Sequence, residues 1–557
     1  MDSTVKIICE NTDDSLYVKM GTPLSEVADI LNLSTARPLM AAYVNNDLKE
    51  LSFKVFEPMN IRFIDATHFA GMKVYERTLL FILQKAVFDL HPHKQLVVKY
   101  SVSKGTYCEI EGIEELEQEQ IEQIEQRMHE IVDSDIPIMY EKVLSADAEK
   151  MYTHLGMYDK ISLLRTRPHL YVDIYSLANI YGHFYGVLAP STGSINFFKL
   201  TKYYNGIHVS RPRVSKPEQL NKIIPQNKMF DIFKEFRHWV NVLGVSTIGD
   251  LNQKIIEGDA SEFIKIAESL HEKKLGSIAD LIAERNVNQG TRMVVISGPS
   301  SSGKTTFAKR LGVQLRVLGL TPVLISVDDY FVNREDTPKD EKGNYDFEAL
   351  EAVDVKSFTR DMEALMRGEE VDIPRYDFIS GRRVYEDKLL KLDDRSVLVI
   401  EGIHGLNPKL TAGIEDNIKF KIYLTALTSI SMDNMTRVPT TDNRLIRRIV
   451  RDYRTRGNNA MGTLKMWDSV RRGEDKHIFP FQEEADVMFN SSLYYELAVL
   501  KPYVEPLLHE IPDTVPEYAE AQRILRFMDA FVAIKNADHV PSNSILKEFI
   551  GCSSFTY

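Results

Sequence analysis

Three cysteines in 557 residues, Cys9, Cys108 and Cys552, are too few and too far apart for a disulfide framework, and they form no CxxC pair for a zinc cluster. No apolar run reaches the ~20 residues that span a bilayer. No charged–apolar–small segment opens the chain, so a cytoplasmic protein with no membrane partner is expected. Positive charge is in short supply. Lys and Arg number 68 against 80 Asp and Glu, a formal net charge of −12. That disfavours wholesale attraction to nucleic acid or lipid, although a local basic patch remains open. No internal repeat is visible. What is present is ordinary for globular protein, 44% hydrophobic and 27% charged residues, and the length calls for two to four domains.

The most informative stretch is Gly298-Pro299-Ser300-Ser301-Ser302-Gly303-Lys304-Thr305-Thr306. It fits G-x-x-x-x-G-K-[ST], follows the strand-like run Met293–Ser297, and opens a helical pattern at Phe307. Glycines let the backbone wrap closely around phosphate oxygens. The N–H groups of the loop and helix start face the anion, aided by the helix dipole. Lys304 is expected to reach the β- and γ-phosphates of ATP or GTP, and the Thr305 hydroxyl to ligate Mg²⁺. The competing reading is a chance match in a Gly/Ser loop.

The rest of the chain sorts into five stretches. Residues 1–65 pattern as a small β-grasp: strand-like Val5–Cys9 and Leu16–Met20, a helix started by Pro23, and a strand entering a tight turn at Asn45-Asn46. Residues 68–215 pattern as an α+β unit. Its clearest helix carries Ile121, Ile124, Met128 and Ile131, and the acidic run 114–125 fits a solvated helix face better than an acidic binding surface. Residues 216–288 read as a helical connector. Residues 290–510 alternate apolar strands with helices, the pattern of a parallel α/β sheet, with strands at 293–297, 323–327, 397–400 and 419–424. Residues 511–557 form a tail with a helix near 519–533, and 545–557 carry no assignment.

Other motifs surround the loop. Strand 323–327 runs into Asp328-Asp329-Tyr330, and ligands collect at the carboxyl ends of strands in open α/β sheets. A carboxylate there could take a proton from an attacking hydroxyl, or simply cap a turn. The buried run Val397–Ile400 ends in Glu401, the shape of a Walker-B acid. Arg444, Arg447, Arg448 and Arg451 share one helix face. They fit an arginine clamp on a triphosphate, a salt-bridged surface helix, or an RNA contact. Ile373-Pro374-Arg375-Tyr376-Asp377-Phe378 fits an acceptor loop or an ordinary turn.

In this order the motifs resemble the uridine kinase branch of the uridine kinase/phosphoribulokinase family over roughly 290–500, and include Asn344-Tyr345-Asp346 and Arg448-Ile449-Val450-Arg451-Asp452-Tyr453. The resemblance implies a P-loop nucleoside kinase fold with ATP or GTP and Mg²⁺. In that pattern Asp328 is the base for a nucleoside 5′-hydroxyl, with Lys304 catalytic, and Thr305 and Glu401 lie on the magnesium side. Asp346 holds ribose hydroxyls, and Tyr376 lies near the nucleoside. Arg448 and Arg451 are lid arginines on the phosphates, Arg448 also near substrate, with Arg456 further along. Two positions depart from it. Gly381 stands where a base-recognising His is usual, and Met466 where a glutamine is expected, which puts uridine itself in doubt.

The front half resembles threonyl-tRNA synthetase without its aminoacylation core: 1–65 a TGS domain, 68–215 the editing-type second additional domain, including Ala189-Pro190-Ser191-Thr192-Gly193. The editing positions fall on Arg77, Phe81, Phe184 and Leu188, so no editing chemistry is expected. RNA or small-ligand contact by this half and, by family analogy, a homo-oligomer are the partner expectations. His91 and His93 fit an exposed turn better than a metal site. A kinase of another small alcohol or sugar phosphate, and a regulatory NTP-binding protein touching tRNA or the ribosome, are the alternative functions.

Overall fold

The computed structural model describes residues 3–33, 37–167, 169–340, 343, 345–386, 389–428 and 430–557, without the side chain of residue 241. The chain opens with a five-stranded sheet in the order Asp14–Lys19, Thr4–Cys9, Met59–Asp65, Leu39–Val44, Asp47–Lys49. Asn45 and Asn46 both take positive φ (46° and 62°), which turns Leu39–Val44 back into Asp47–Lys49. The helix Leu24–Ile30 starts at Pro23 and buries Leu24 and Val27 in a core with Ile7, Ile61 and Phe63.

A 22-residue helix, Phe69–Leu90, leads into the second unit. There an antiparallel sheet runs Lys199–Tyr203, Gly206–Ser210, Gly105–Ile110, Leu96–Val102. The helix Gln118–Asp133 buries Ile121, Ile124, Met128 and Ile131, the four positions its periodicity marks, and turns Glu119, Glu122 and Glu130 to solvent. Arg77 donates to the Val187 carbonyl (3.1 and 2.9 Å), Phe81 meets Phe184 edge to face, and Leu188 is buried.

Residues 216–288 begin with a short strand, Lys216–Leu220, and not with a helix. Three helices follow, Asn227–Leu243, Ile248–Glu257 and Ala260–Gln289, each ended by a glycine in the left-handed region: Gly244, Gly258 and Gly290. They are more than a connector. The longest packs on the helix that follows the phosphate loop, where Glu272 accepts from Arg310 (2.6 Å) and Gln314.

The sheet behind that loop is parallel throughout, in the order Thr321–Ser326, Ser396–Glu401, Met293–Ser297, Lys419–Thr425, Val487–Asn490. Met293–Ser297 lies at its centre with every residue buried, so its near-continuous apolar run is what a strand covered on both faces requires. This is a P-loop kinase fold. The sequence pattern does not mark the fifth strand, Val487–Asn490, because its apolar run is only Val487-Met488-Phe489, closed off by Asp486 and Asn490. No helix among the described residues is long and apolar enough to cross a membrane.

The front unit grips the loop that leads into the helix Thr440–Thr455. Lys160 pairs with Asp433 at 2.7 Å with both side chains buried, Asp159 accepts from the Asn434 N–H (2.7 Å), and Val98 donates to the Asn434 carbonyl (2.7 Å). Removing one member of such a pair strands a buried charge. Lys160→Met is expected to cost about 3–5 kcal/mol in urea unfolding. The double change Lys160→Met with Asp433→Leu should cost clearly less than the single one.

Candidate active site

The phosphate loop turns on two left-handed residues, Ser301 (φ 59°) and Gly303 (φ 81°). Gly298 is required by close approach, since a Cβ there would lie 2.3 Å from the Leu424 carbonyl oxygen. Lys304 donates to the carbonyls of Gly298 (3.0 Å) and Pro299 (3.2 Å), folded back over its own loop. Thr305 donates to Glu401 Oε1 (3.2 Å), and Ser326 donates to the same oxygen (3.0 Å). The loop's helix and two adjacent parallel strands therefore deliver three groups to one point.

Burial, and then the neighbouring Asp328 carboxylate, push Glu401 up to about 7 against the pull of Lys304. A buried carboxylate in that state, flanked by two hydroxyls, fits a hard cation with oxygen ligands. Thr305 and Glu401 are the residues here that would hold Mg²⁺. No cluster of three or more His, Cys, Asp or Glu side chains suited to a metal occurs among the described residues. The remaining ligands would come from water and substrate phosphate.

Arg444, Arg447, Arg448 and Arg451 on helix Thr440–Thr455 do not act as one face. Arg444 and Arg447 are fully buried. Arg444 is bidentate on Glu474 and donates to the Ser300 carbonyl (3.0 Å); Arg447 pairs with Glu496 and donates to the Ser301 carbonyl (3.3 Å). Glu474 also accepts from the Ser300 N–H (3.1 Å). Arg448 and Arg451 stand further out. Arg448 donates to Ser300 Oγ (2.8 Å), and both hold Asp452. Burial would raise Asp452, but Arg451, Arg448 and Arg456 outweigh it and hold the carboxyl low. Helical spacing puts residues on a common side and does not say which of them the next helix covers.

Asp328 and Asp329 sit in one turn of 3₁₀ helix, Val327–Tyr330, at the end of strand Thr321–Ser326. Asp329 accepts the Tyr376 N–H (3.1 Å), and burial pushes it up to about 6. It therefore anchors the hairpin Arg375–Asp377/Arg382–Val384. Asp328 is half-buried and contributes to the charge felt at Glu401 and at Glu348. Tyr376 is buried between Phe331 and Phe378. Asp346 accepts from the Glu348 N–H (3.2 Å); its motif neighbour Asn344 lies outside the described residues.

Gly381 closes that hairpin at φ 72°, and a Cβ there would fall 2.8 Å from Arg334 Nε. Arg334 donates from its backbone N–H to the Gly381 carbonyl and from its guanidinium to the Phe378 carbonyl. Arginine thus fills the space a histidine side chain would need. Met466 lies partly exposed on helix Ala460–His477.

Two residues at the site are absent from the sequence reading. Glu348 is buried, its Oε2 has no hydrogen-bond partner among the described residues, and its Cβ sits 2.2 Å from where a Cβ on Gly473 would be. Burial pushes it up to about 7, against the pull of Arg448 and Lys304. Glu548, from the unassigned tail, lies on Thr306. Only Glu348 had a sequence signal, its place two residues after Asp346.

The loop and the parallel sheet behind it make up a P-loop kinase fold. Residues 293–495 match the model of the Phosphoribulokinase / Uridine kinase family. That stretch contains all five parallel strands, so the C-terminal region carries a domain of this family. The chain is similar to the uridine kinase of Saccharomyces cerevisiae, 30% identical over 202 residues, which are 36% of this chain and 36% of that protein. It is similar to the uridine kinase of Halobacterium salinarum, 26% identical over 35% of this chain and 77% of that one. It is also similar to the threonine–tRNA ligase of Rubrobacter xylanophilus, 29% identical over 33% of this chain and 29% of the ligase. The chain thus spans only about a third of the length of the yeast and Rubrobacter proteins. Among solved structures, one described as a possible uridine kinase from Bacillus stearothermophilus aligns with TM-score 0.26 and 22% identity, covering 39% of this chain and all of that one.

The raised Glu401 has a consequence for stability. Its folded value lies above the ordinary 4.5, so its contribution is fully present below about pH 4.5 and is lost as pH rises through about 7, roughly 3 kcal/mol in all. Without nucleotide or magnesium, the melting temperature should fall across that window, and Glu401→Gln should flatten the fall.

Proposed function

We propose that this chain is a nucleoside kinase, transferring the γ-phosphate of ATP or GTP to a nucleoside 5′-hydroxyl. One observation carries the reading: the Thr305 hydroxyl meets Glu401 at 3.2 Å beside the loop, with Asp328 at the end of the adjoining strand. The 5′-oxygen attacks the γ-phosphorus while its proton passes to the Asp328 carboxylate, and the bond to the β–γ bridging oxygen breaks to release the diphosphate. Lys304 leaves its loop carbonyls for the β- and γ-phosphates. Arg448, which already donates to Ser300 Oγ of the loop, and Arg451 beside it stabilise charge on the transferring group. Thr305 and Glu401 would hold Mg²⁺, which would supply charge neutralisation at the phosphates.

On the acceptor side Asp328 and Glu348 lie close enough for Glu348 to feel the Asp328 charge. A carboxylate there favours a neutral polyhydroxyl acceptor over a sugar phosphate, because a second negative group beside it in a poorly hydrated site is disfavoured. Asp346 is assigned to ribose hydroxyls and Tyr376 to a position near the nucleoside. The nucleoside base is left to groups other than the usual histidine and glutamine. For the front half, the likeness to a threonine–tRNA ligase supports TGS-like and editing-like units kept for contact with RNA or a small ligand. Salt-sensitive tRNA binding by the full chain supports this, and no binding at low salt removes it.

Purified protein with ATP, Mg²⁺ and a panel of uridine, cytidine, inosine, guanosine and adenosine should yield a 5′-monophosphate from at least one. No product from any overturns the assignment. Asp328→Asn should lower kcat by about 10²–10⁴-fold while leaving ATP binding nearly unchanged.

A further inference from the structure

The segment 544–557 lies against the phosphate loop. Ile545 Cγ2 is 2.5 Å from the position a Cβ on Gly303 would take, so this glycine is needed for packing as well as for its φ of 81°. Glu548 Oε2 accepts from the Thr306 N–H (3.3 Å) and the Thr306 hydroxyl (2.6 Å), and the Tyr557 hydroxyl lies 2.8 Å from the same Thr306 oxygen. Thr306 itself is fully buried. A carboxylate is thus seated on donors at the start of the loop's helix, the end whose dipole favours an anion. In a phosphate loop those donors belong to the phosphates of the bound nucleotide.

The backbone of the segment is fixed. Ile545, Leu546, Phe549 and Ile550 are buried, Arg454 donates to the Phe549 carbonyl (2.7 Å), and the Arg447 guanidinium lies 5.1 Å from the centre of the Phe549 ring. Moving the segment would expose all four apolar side chains. The Glu548 side chain, only half-buried, can swing away on its own.

We propose that Glu548 is a tethered anion that sets the affinity for the phosphate donor, because it holds the amide and hydroxyl of Thr306 that a donor phosphate must take over. This rests on the reading of Gly298–Thr306 as the donor loop. Donor binding then includes the displacement of one carboxylate from Thr306, with Tyr557 free to follow or to redirect its hydroxyl to Ser553 (3.1 Å). The near-isosteric Glu548→Gln keeps the packing and removes the competing charge.

Titration calorimetry of ATP with Mg²⁺ into the full-length chain tests this. Glu548→Gln and Glu548→Ala should each bind ATP about tenfold more tightly than the unaltered protein, a 1.4 kcal/mol difference. The same variants without nucleotide should melt at lower temperature, since a carboxylate at the start of the loop's helix is lost. Unchanged or weaker ATP binding in both variants overturns the proposal and makes Glu548 a bystander or a direct donor contact. If neither the unaltered protein nor either variant, all folded by their melts, binds ATP or GTP, the loop reading fails and this proposal fails with it.

Discussion

Two arginine–glutamate pairs sealed behind the phosphate loop, Arg444 with Glu474 and Arg447 with Glu496, hold the arrangement on which the site depends. Buried ion pairs are poor sources of stability, because desolvation offsets much of their attraction. Here their value is positional. Arg444 and Arg447 reach the carbonyls of Ser300 and Ser301, and Glu474 takes the Ser300 N–H. The carbonyl side of the loop is satisfied from behind, which leaves Lys304, Thr305 and Thr306 at the front. Loss of Glu474, Arg447 or Glu496 would leave a charge without an ion partner in a dry core and loosen the loop at the same time, whereas Glu474 would keep Arg471 if Arg444 were lost.

The same helix that carries these arginines follows directly from the loop gripped by the front half. Asp433 and Asn434 are held by Lys160, Asp159 and Val98 only a few residues before Thr440. The helices between 227 and 289 cover the other side, tied through Glu272 to Arg310. The regions outside the parallel sheet are therefore packed onto the elements that set the loop and its arginines. A change of state in the front half would be felt first at the start of the arginine helix, since that is where the buried contacts converge.

Much of the parallel sheet was legible in the sequence. The runs at 293–297, 323–327, 397–400 and 419–424 are long enough and apolar enough to mark strands buried on both faces. The amphipathic helix with Ile121, Ile124, Met128 and Ile131 declared itself by period. The helix face of four arginines was misleading. Spacing places Arg444, Arg447, Arg448 and Arg451 on one side, but the partners that bury two of them, Glu474 and Glu496, come from 30 and 49 residues away. Gly381 read as a missing recognition residue. Its positive φ and the Arg334 guanidinium across it show a turn in which a side chain has no room.

The sequence alone determined the nature of the phosphate loop, the parallel architecture around it and the residue types available for phosphoryl chemistry, because these follow from local spacing and from runs of buried side chains. Only the tertiary structure decided which arginines face the site, that Asp329 and not Asp328 anchors the hairpin, that Glu348 and Glu401 are forced toward neutrality, and that Glu548 sits on Thr306. Each of these depends on contact between residues distant in the chain, or on how much water packing removes, and neither is written in local pattern.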